Sequence, residues 1–207
     1  MAGQPITQQR QSDGMVYTLY RGSEHPFVHA LSSNDKWAIC IDLPATGQAD
    51  AAAADDWALT PAANGRSVFA VNATLGLVAE IDPSELSIRR QGIFGETSAA
   101  TPRIVLAKFG HGPTAPLGRR AVTAPNGETI AAGGRAGLVG LRPDDFSVAW
   151  RALPGESIRA VGSTSDGSAA YALTGSGRIV AISMTDGEVL GDVPDGGFDR
   201  LAAIMGG

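Results

Sequence analysis

Short apolar segments recur along this chain between polar bends. Asp13-Gly14, Asn64-Gly65, Asn126-Gly127 and Asp166-Gly167 lead into MVYTLY, RSVFAVN, ETIAAGG and SAAYALT, in which β-branched, aromatic and small residues alternate. A period of two predicts strands, and Asx-Gly predicts two-residue hairpin turns, whose central positions both require positive φ. A second bend follows, ending in Gly76, Gly137 and Gly177 in three of the copies, and the strands after it read LVAEID, LVGLRP and RIVAIS. Each of these is followed by a polar turn and a fourth short strand, LSIRR, FSVAW or EVLGDV. Upstream of the dipeptides lie WALTP, RAVTAP and RAVGST, so each unit is predicted to be four consecutive strands.

The first unit is looser. VYTLY, FVHAL and WAICIDL supply three strands, while its leading strand falls on ITQQRQ, which has almost no apolar face. RLAAIM, at 200–205, resembles the leading strands and has nothing after it, so its expected role is to close the array by joining VYTLY at 16–20. The repeats are expected at about 5–44, 57–92, 119–153 and 159–193 within a single domain. A Gly-, Pro- and Thr-rich loop insert is expected over 93–118. The dipeptides are spaced by 51, 62 and 40 residues, and the shortest interval is the size of one four-stranded propeller blade.

The recurring DG or NG, then the YALT-like strand, then glycine and a V-x-x-I segment, as in SVFAVNATLGLVAEID and SAAYALTGSGRIVAIS, resemble the YVTN and WD-repeat-like β-propellers. The first unit also resembles a blade from large bacterial propeller proteins of unassigned function. This resemblance implies an all-β fold of about four four-stranded antiparallel blades. Two readings follow: the four units close on themselves, or they form the C-terminal part of a larger propeller with further blades. Sheets of this size bury their apolar faces only against neighbouring sheets. Ala58, Ala121 and Ala160 in the leading strands suit a crowded axis.

Composition narrows the function classes. With 43% hydrophobic and 18% charged residues the chain is too apolar for disorder. Its apolar runs are too interrupted for a membrane span, so no membrane insertion is expected. A net charge of -5, with the basic residues scattered singly or in pairs, lacks the footprint of a nucleic-acid binder. The pairs Arg89-Arg90 and Arg119-Arg120 read as solvated strand ends. Cys40, the single cysteine, sits in Ile39-Cys40-Ile41 and is expected to be a small buried hydrophobe. The first residues lack the apolar stretch of a signal peptide. The chain is therefore expected in the cytoplasm if Met1 is the true start, and outside the cell or on its surface if it is part of a larger protein.

Signatures of chemistry are sparse. The sequence contains no G-x-S-x-G, G-x-x-x-x-G-K, H-E-x-x-H or C-x-x-C, and the glycines of 133–140 lie between strands rather than opening a helix. His25, His29 and His111 are too separated to define a metal site, and His29 reads as structural. Asp186, Asp192, Asp195 and Asp199 lack the alternate spacing of a calcium loop and are better explained by turns. No cofactor and no metal are expected. GLVGLRPDDFSVAW resembles the repeat of quinone-dependent dehydrogenase propellers, where the repeat tryptophan locks neighbouring blades. Trp37, Trp57 and Trp150 are accordingly expected in inter-blade packing.

If the leading strand is innermost, the DG and NG turns lie at one end of the propeller. The loops joining second to third strands, and unit to unit, lie at the other. Function tends to sit on such varied loops. The expected activity is a non-catalytic binding or scaffolding module presenting this face to a protein, peptide or glycan, with Arg21, His25, Asn72 and Arg135 as the candidate contacts. Self-association or the missing blades are the other expected partners. The alternatives are a lactonase-like or quinone-dependent propeller enzyme, or a purely structural part of a larger propeller.

Overall fold

Among the described residues, sixteen strands arrange themselves as four antiparallel four-stranded sheets, each a meander in chain order. The computed structural model describes residues 3–11, 13–22, 25–44, 53–95 and 119–193. Sheet 1 comprises β1 (Gly3–Arg10), β2 (Met15–Gly22), β3 (Phe27–Ser32) and β4 (Trp37–Asp42). Sheet 2 follows a 3₁₀ turn at Ala53–Asp56 with β5 (Trp57–Pro61), β6 (Val68–Asn72), β7 (Leu77–Asp82) and β8 (Ser87–Ile93). Sheet 3 is β9 (Ala121–Thr123), β10 (Ile130–Gly133), β11 (Leu138–Leu141) and β12 (Val148–Ala152). Sheet 4 is β13 (Ile158–Ser163), β14 (Ala169–Thr174), β15 (Ile179–Ser183) and β16 (Val189–Val193). The strands are short, and one sheet alone would leave both faces wet.

Apolar burial is what orders the sheets. One cluster joins Tyr17, Leu19, Val28 and Ile41 of sheet 1 to Trp57, Leu59, Val68 and Ile81 of sheet 2. A second joins Phe69, Val71 and Val78 of sheet 2 to Ile130, Val139 and Leu141 of sheet 3. A third joins Leu138 and Trp150 of sheet 3 to Ile158, Val180 and Ile182 of sheet 4. The leading strands β1, β5, β9 and β13 lie beside one another in that order, so the sheets stack radially with their first strands inward. Ala58, Ala121 and Ala160 are all buried there, as expected of small residues near an axis. Among the described residues no cluster joins sheet 4 back to sheet 1.

Several expectations are corrected. The weakly apolar leading strand of the first unit does form: β1 pairs with β2 over Gly3–Arg10. Its polar side chains find partners, Gln8 donating to Thr18 Oγ1 at 3.1 Å and Gln11 to the Ser67 carbonyl at 3.3 Å, while Ile6 packs on the core. Both edges of β2 are thereby taken, by β1 and β3, so closure by a strand pairing with 16–20 is unavailable. Residues 200–205, and most of the 93–118 insert, lie outside the described residues. Cys40 is exposed rather than buried, because β4 is the outermost strand of its sheet and only Ile41 of the three neighbours is buried. Trp57 and Trp150 pack between sheets, but Trp37, also on β4, is 36% exposed.

The turns differ from the two-residue form too. Only the glycines of the Asx-Gly pairs take positive φ, at 87° (Gly14), 65° (Gly65), 77° (Gly127) and 74° (Gly167). The Asx side chain instead accepts the main-chain N–H two residues on, at 2.9–3.1 Å, from Met15, Arg66, Glu128 and Ser168. This makes a longer loop stapled by an Asx turn. At Asp166 the Thr164 hydroxyl, then the Ser168 main-chain and hydroxyl groups, hold the carboxyl down from its ordinary 3.8 to about 2. A depressed carboxyl stabilises the fold above its unfolded value and loses that contribution as pH falls toward its folded one. Thermal unfolding followed from pH 4 down to about 2 should therefore show stability declining, and Asp166→Asn, which keeps the acceptor but cannot titrate, should flatten part of that decline. An unchanged profile would show the turn carboxylate to be uncoupled from folding.

Candidate functional site

Along the axis runs a cavity of about 460 Å³ built from the leading strands. Arg119 stands at its loop end, just before β9, and Thr60, Thr123 and Ser163 lie toward the turn end, with Gln9 and Tyr171 completing the polar lining. Ala121, Ala160 and Val161 supply the apolar wall. Thr60 and Thr123 latch sheets 2 and 3 together across this wall: their hydroxyls are 3.1 Å apart and the Thr123 N–H donates to Thr60 Oγ1 at 2.9 Å. Threonine suits these positions because its β-branch favours a strand and its hydroxyl can bond across to the neighbouring one.

At the loop end the side chains converge on Asp56. Its carboxylate, 4% exposed, accepts from Arg120 Nη1, from Arg135 Nε at 2.8 Å and from Thr74 Oγ1 at 2.7 Å. The Arg135 N–H donates in turn to Thr74 Oγ1 at 3.2 Å. Aspartate at the end of a 3₁₀ turn thus ties the entrance of sheet 2 to the loop of sheet 3. Beside it, Asn72 is fully buried, donating to the Ala53 carbonyl at 2.7 Å and accepting from Leu75 N at 2.9 Å.

The sequence-derived candidates are therefore divided. Asn72 and Arg135 meet around the same loop, but Asn72 offers no surface to a partner and acts by holding the 73–76 turn in place. Arg135 keeps 44% of its side chain exposed while bonded to Asp56. Arg21 and His25 belong to sheet 1, Arg21 exposed at the end of β2 and His25 Nε2 3.0 Å from Asp42 Oδ1. Sequence reasoning missed Asp56, Thr74 and Arg120, whose partners are distant in the chain.

One member of each arginine pair is solvated as expected, Arg89 at 59% side-chain exposure and Arg119 likewise exposed, and the other is not. The side chain of Arg120 is only 15% exposed. Arg90 bonds buried Glu80 at 2.6 Å and the carbonyls of Pro143 and Asp144, with its guanidinium 4.8 Å above the Phe146 ring. Arg90 and Arg120 thus bridge sheets 2 and 3.

Charge is segregated along the axis. Among the described residues, the turns between first and second and between third and fourth strands carry Asp13, Asp35, Glu85, Glu128, Asp144, Asp145, Asp166, Asp186 and Glu188, against Lys36, Arg66 and Arg142. Among the residues whose side chains are described, the loop end instead gathers Arg21, Arg119, Arg120, Arg135, Arg151, Arg159 and Arg178, against Asp42, Asp56, Glu156 and Asp192. Such an axial field orients a charged partner before contact. Among the described residues no group of three or more His, Cys, Asp or Glu side chains is placed to hold one metal ion, and no helix is long and apolar enough to cross a membrane.

No family model matches the chain, and no curated protein matches it. Among solved structures it is similar to the Kuenenia stuttgartiensis hydrazine synthase, with a TM-score of 0.63 over 91% of this chain at 13% identity. The fold is β-propeller-like. At that identity the likeness shows architecture alone, and the matched part is 48% of the synthase chain, so this chain spans about half the length of that structure.

Proposed function

We propose that this chain is a non-catalytic binding module that receives an extended segment of a partner protein at the loop end of the axis. The observation that carries the reading is the axial cavity, whose polar lining is hydroxyls, a carboxamide and one arginine. Such a lining donates and accepts hydrogen bonds, and among its described residues it holds no carboxylate, imidazole or thiol for proton transfer or nucleophilic attack. Of the described carboxylates at the loop end, Asp42, Asp56, Glu156 and Asp192 each face a basic side chain. A propeller enzyme of the lactonase or quinone-dependent kind would need such groups turned toward the channel. Arg119, with Arg135 and Arg21 further out, favours acidic residues in the bound segment. The finer kinship, to YVTN and WD-like repeats, is supported by the recurrence of the Asx-Gly turn and of glycine before each third strand except the first.

The test is a fluorescence-anisotropy screen of acidic, neutral and basic peptide pools, with a glycan array beside it. Acidic pools are expected to bind, Arg119→Glu to weaken them by tenfold or more, which is about 1.4 kcal/mol, and Arg66→Glu at the opposite end to change little. Binding that favours glycans, or that is indifferent to Arg119→Glu, would overturn the reading.

A further inference from the structure

Each sheet ends in an outer strand whose far edge carries main-chain donors and acceptors, and the four edges are not alike. The pairings β7–β8, β11–β12 and β15–β16 each contain one register shift, at Glu80/Ile81, Gly140/Leu141 and Ala181/Ile182. Such bulges twist an edge away from further pairing, and inserted charges do the same. Those three strands also carry charge within their length: Arg89 and Arg90 on β8, Arg151 on β12 and Asp192 on β16. β4 has neither protection. It pairs with β3 from Trp37 to Asp42 without a shift, and its sole charge is the terminal Asp42. Trp37 is 36% and Ile39 40% exposed, and Ala38 and Cys40 are exposed as well.

The hydrogen-bond parity of this strand is fixed. Leu43 N donates to the Pro26 carbonyl at 3.0 Å, which makes Ile41, Ile39 and Trp37 the residues bonded to β3. The main-chain groups of Ala38 and Cys40 therefore point outward.

We propose that β4 is a homodimerisation edge, pairing antiparallel with β4 of a second copy about a two-fold axis at Ile39. Parity allows a register in which Ala38 faces Cys40 of the second copy, Trp37 faces Ile41 of the second copy, and Ile39 meets its own equivalent. Lys36 then lies opposite Asp42 of the second copy, twice by symmetry, and this charge complementarity at both ends of an apolar strand selects the chain itself as the occupant. Asp42 already meets His25 yet keeps 57% of its side chain exposed to receive the lysine. The result is a continuous eight-stranded sheet with Trp37 and Ile39 beside its seam.

Sedimentation of the full chain over a concentration series tests this. The expected outcome is a dimer that Ile39→Lys converts to a monomer, because two lysines would meet on the axis, while Leu190→Lys on the exposed β16 edge leaves it unchanged. Ala38→Cys, under mild oxidation, is expected to give a covalent dimer with Cys40 of the second copy on a non-reducing gel, well above the unsubstituted chain. This variant decides the matter even if Ile39→Lys fails to fold. A monomeric wild type, a dimer abolished by Leu190→Lys instead, or no gain in crosslinking from Ala38→Cys would each overturn the proposal.

Discussion

Replacing Asp56 by alanine is expected to cost the fold about 3–5 kcal/mol, the scale for removing one partner of a buried ion pair. The carboxylate is 4% exposed and serves Arg120, Arg135 and Thr74 together. Without it the Arg120 guanidinium, 15% exposed, is left buried with no counter-charge. Arg135, at 44% exposure, can swing into water, so most of the penalty falls on Arg120. Urea unfolding should show the midpoint drop, and the double variant Asp56→Leu with Arg120→Met should recover much of it by replacing the pair with apolar volume. Equal losses in the single and double variants would mean that loop packing, rather than the uncompensated cation, sets the cost. Because Asp56 anchors the loop that carries Arg135, ligand contacts at the loop end should weaken in step.

Trp150→Ala is expected to be comparably severe, about 3–5 kcal/mol for a truncated core tryptophan. The indole is 5% exposed, lies in the cluster joining sheets 3 and 4, and donates to the Met184 carbonyl at 2.9 Å. Two glycines make room for it. A Cβ on Gly140, the residue paired with Trp150 on β11, would fall inside the ring, and one on Gly187 would stand 2.9 Å from Trp150 Cβ. Gly140→Ala should therefore reproduce much of the loss by pushing the indole out of its seat, a check that adds atoms instead of removing them. The Met184 carbonyl also accepts from Thr129 Oγ1 at 3.1 Å, so it is not orphaned and the cost is chiefly one of packing. Both variants should lower the melting temperature together. A stable Gly140→Ala would show that the ring can shift without loss.

The part of the candidate site that was legible in sequence is the part made by local chain geometry. Loops joining second to third strands can be assigned to one end of the stack, because strand order in a meander is fixed by adjacency, and Arg21, His25 and Arg135 lie at or beside such loops. Asn72 was placed there as well, but its burial was invisible, since an asparagine before a turn reads the same whether its amide faces water or the Ala53 carbonyl. Asp56 escaped notice for a similar reason. It lies in an acidic stretch that reads as a connector, and its partners follow 18, 64 and 79 residues later.

What the sequence determined by itself is the repeating unit. Period-two apolar alternation and the Asx-Gly bends specify short antiparallel strands through local sterics and local hydrogen bonds, which need no knowledge of the rest of the molecule. Even the conserved geometry of the later turns was partly hidden, since Lys36, Leu86 and Phe146 take the same positive φ that glycine takes at 187. Only the tertiary structure decided which side chains are buried between sheets, that Arg90 and Arg120 bridge sheets instead of ending them, and that Cys40 and Trp37 face outward. Those outcomes depend on which sheet face meets a neighbour and which strand is outermost, and such non-local contacts leave no periodic trace in the chain.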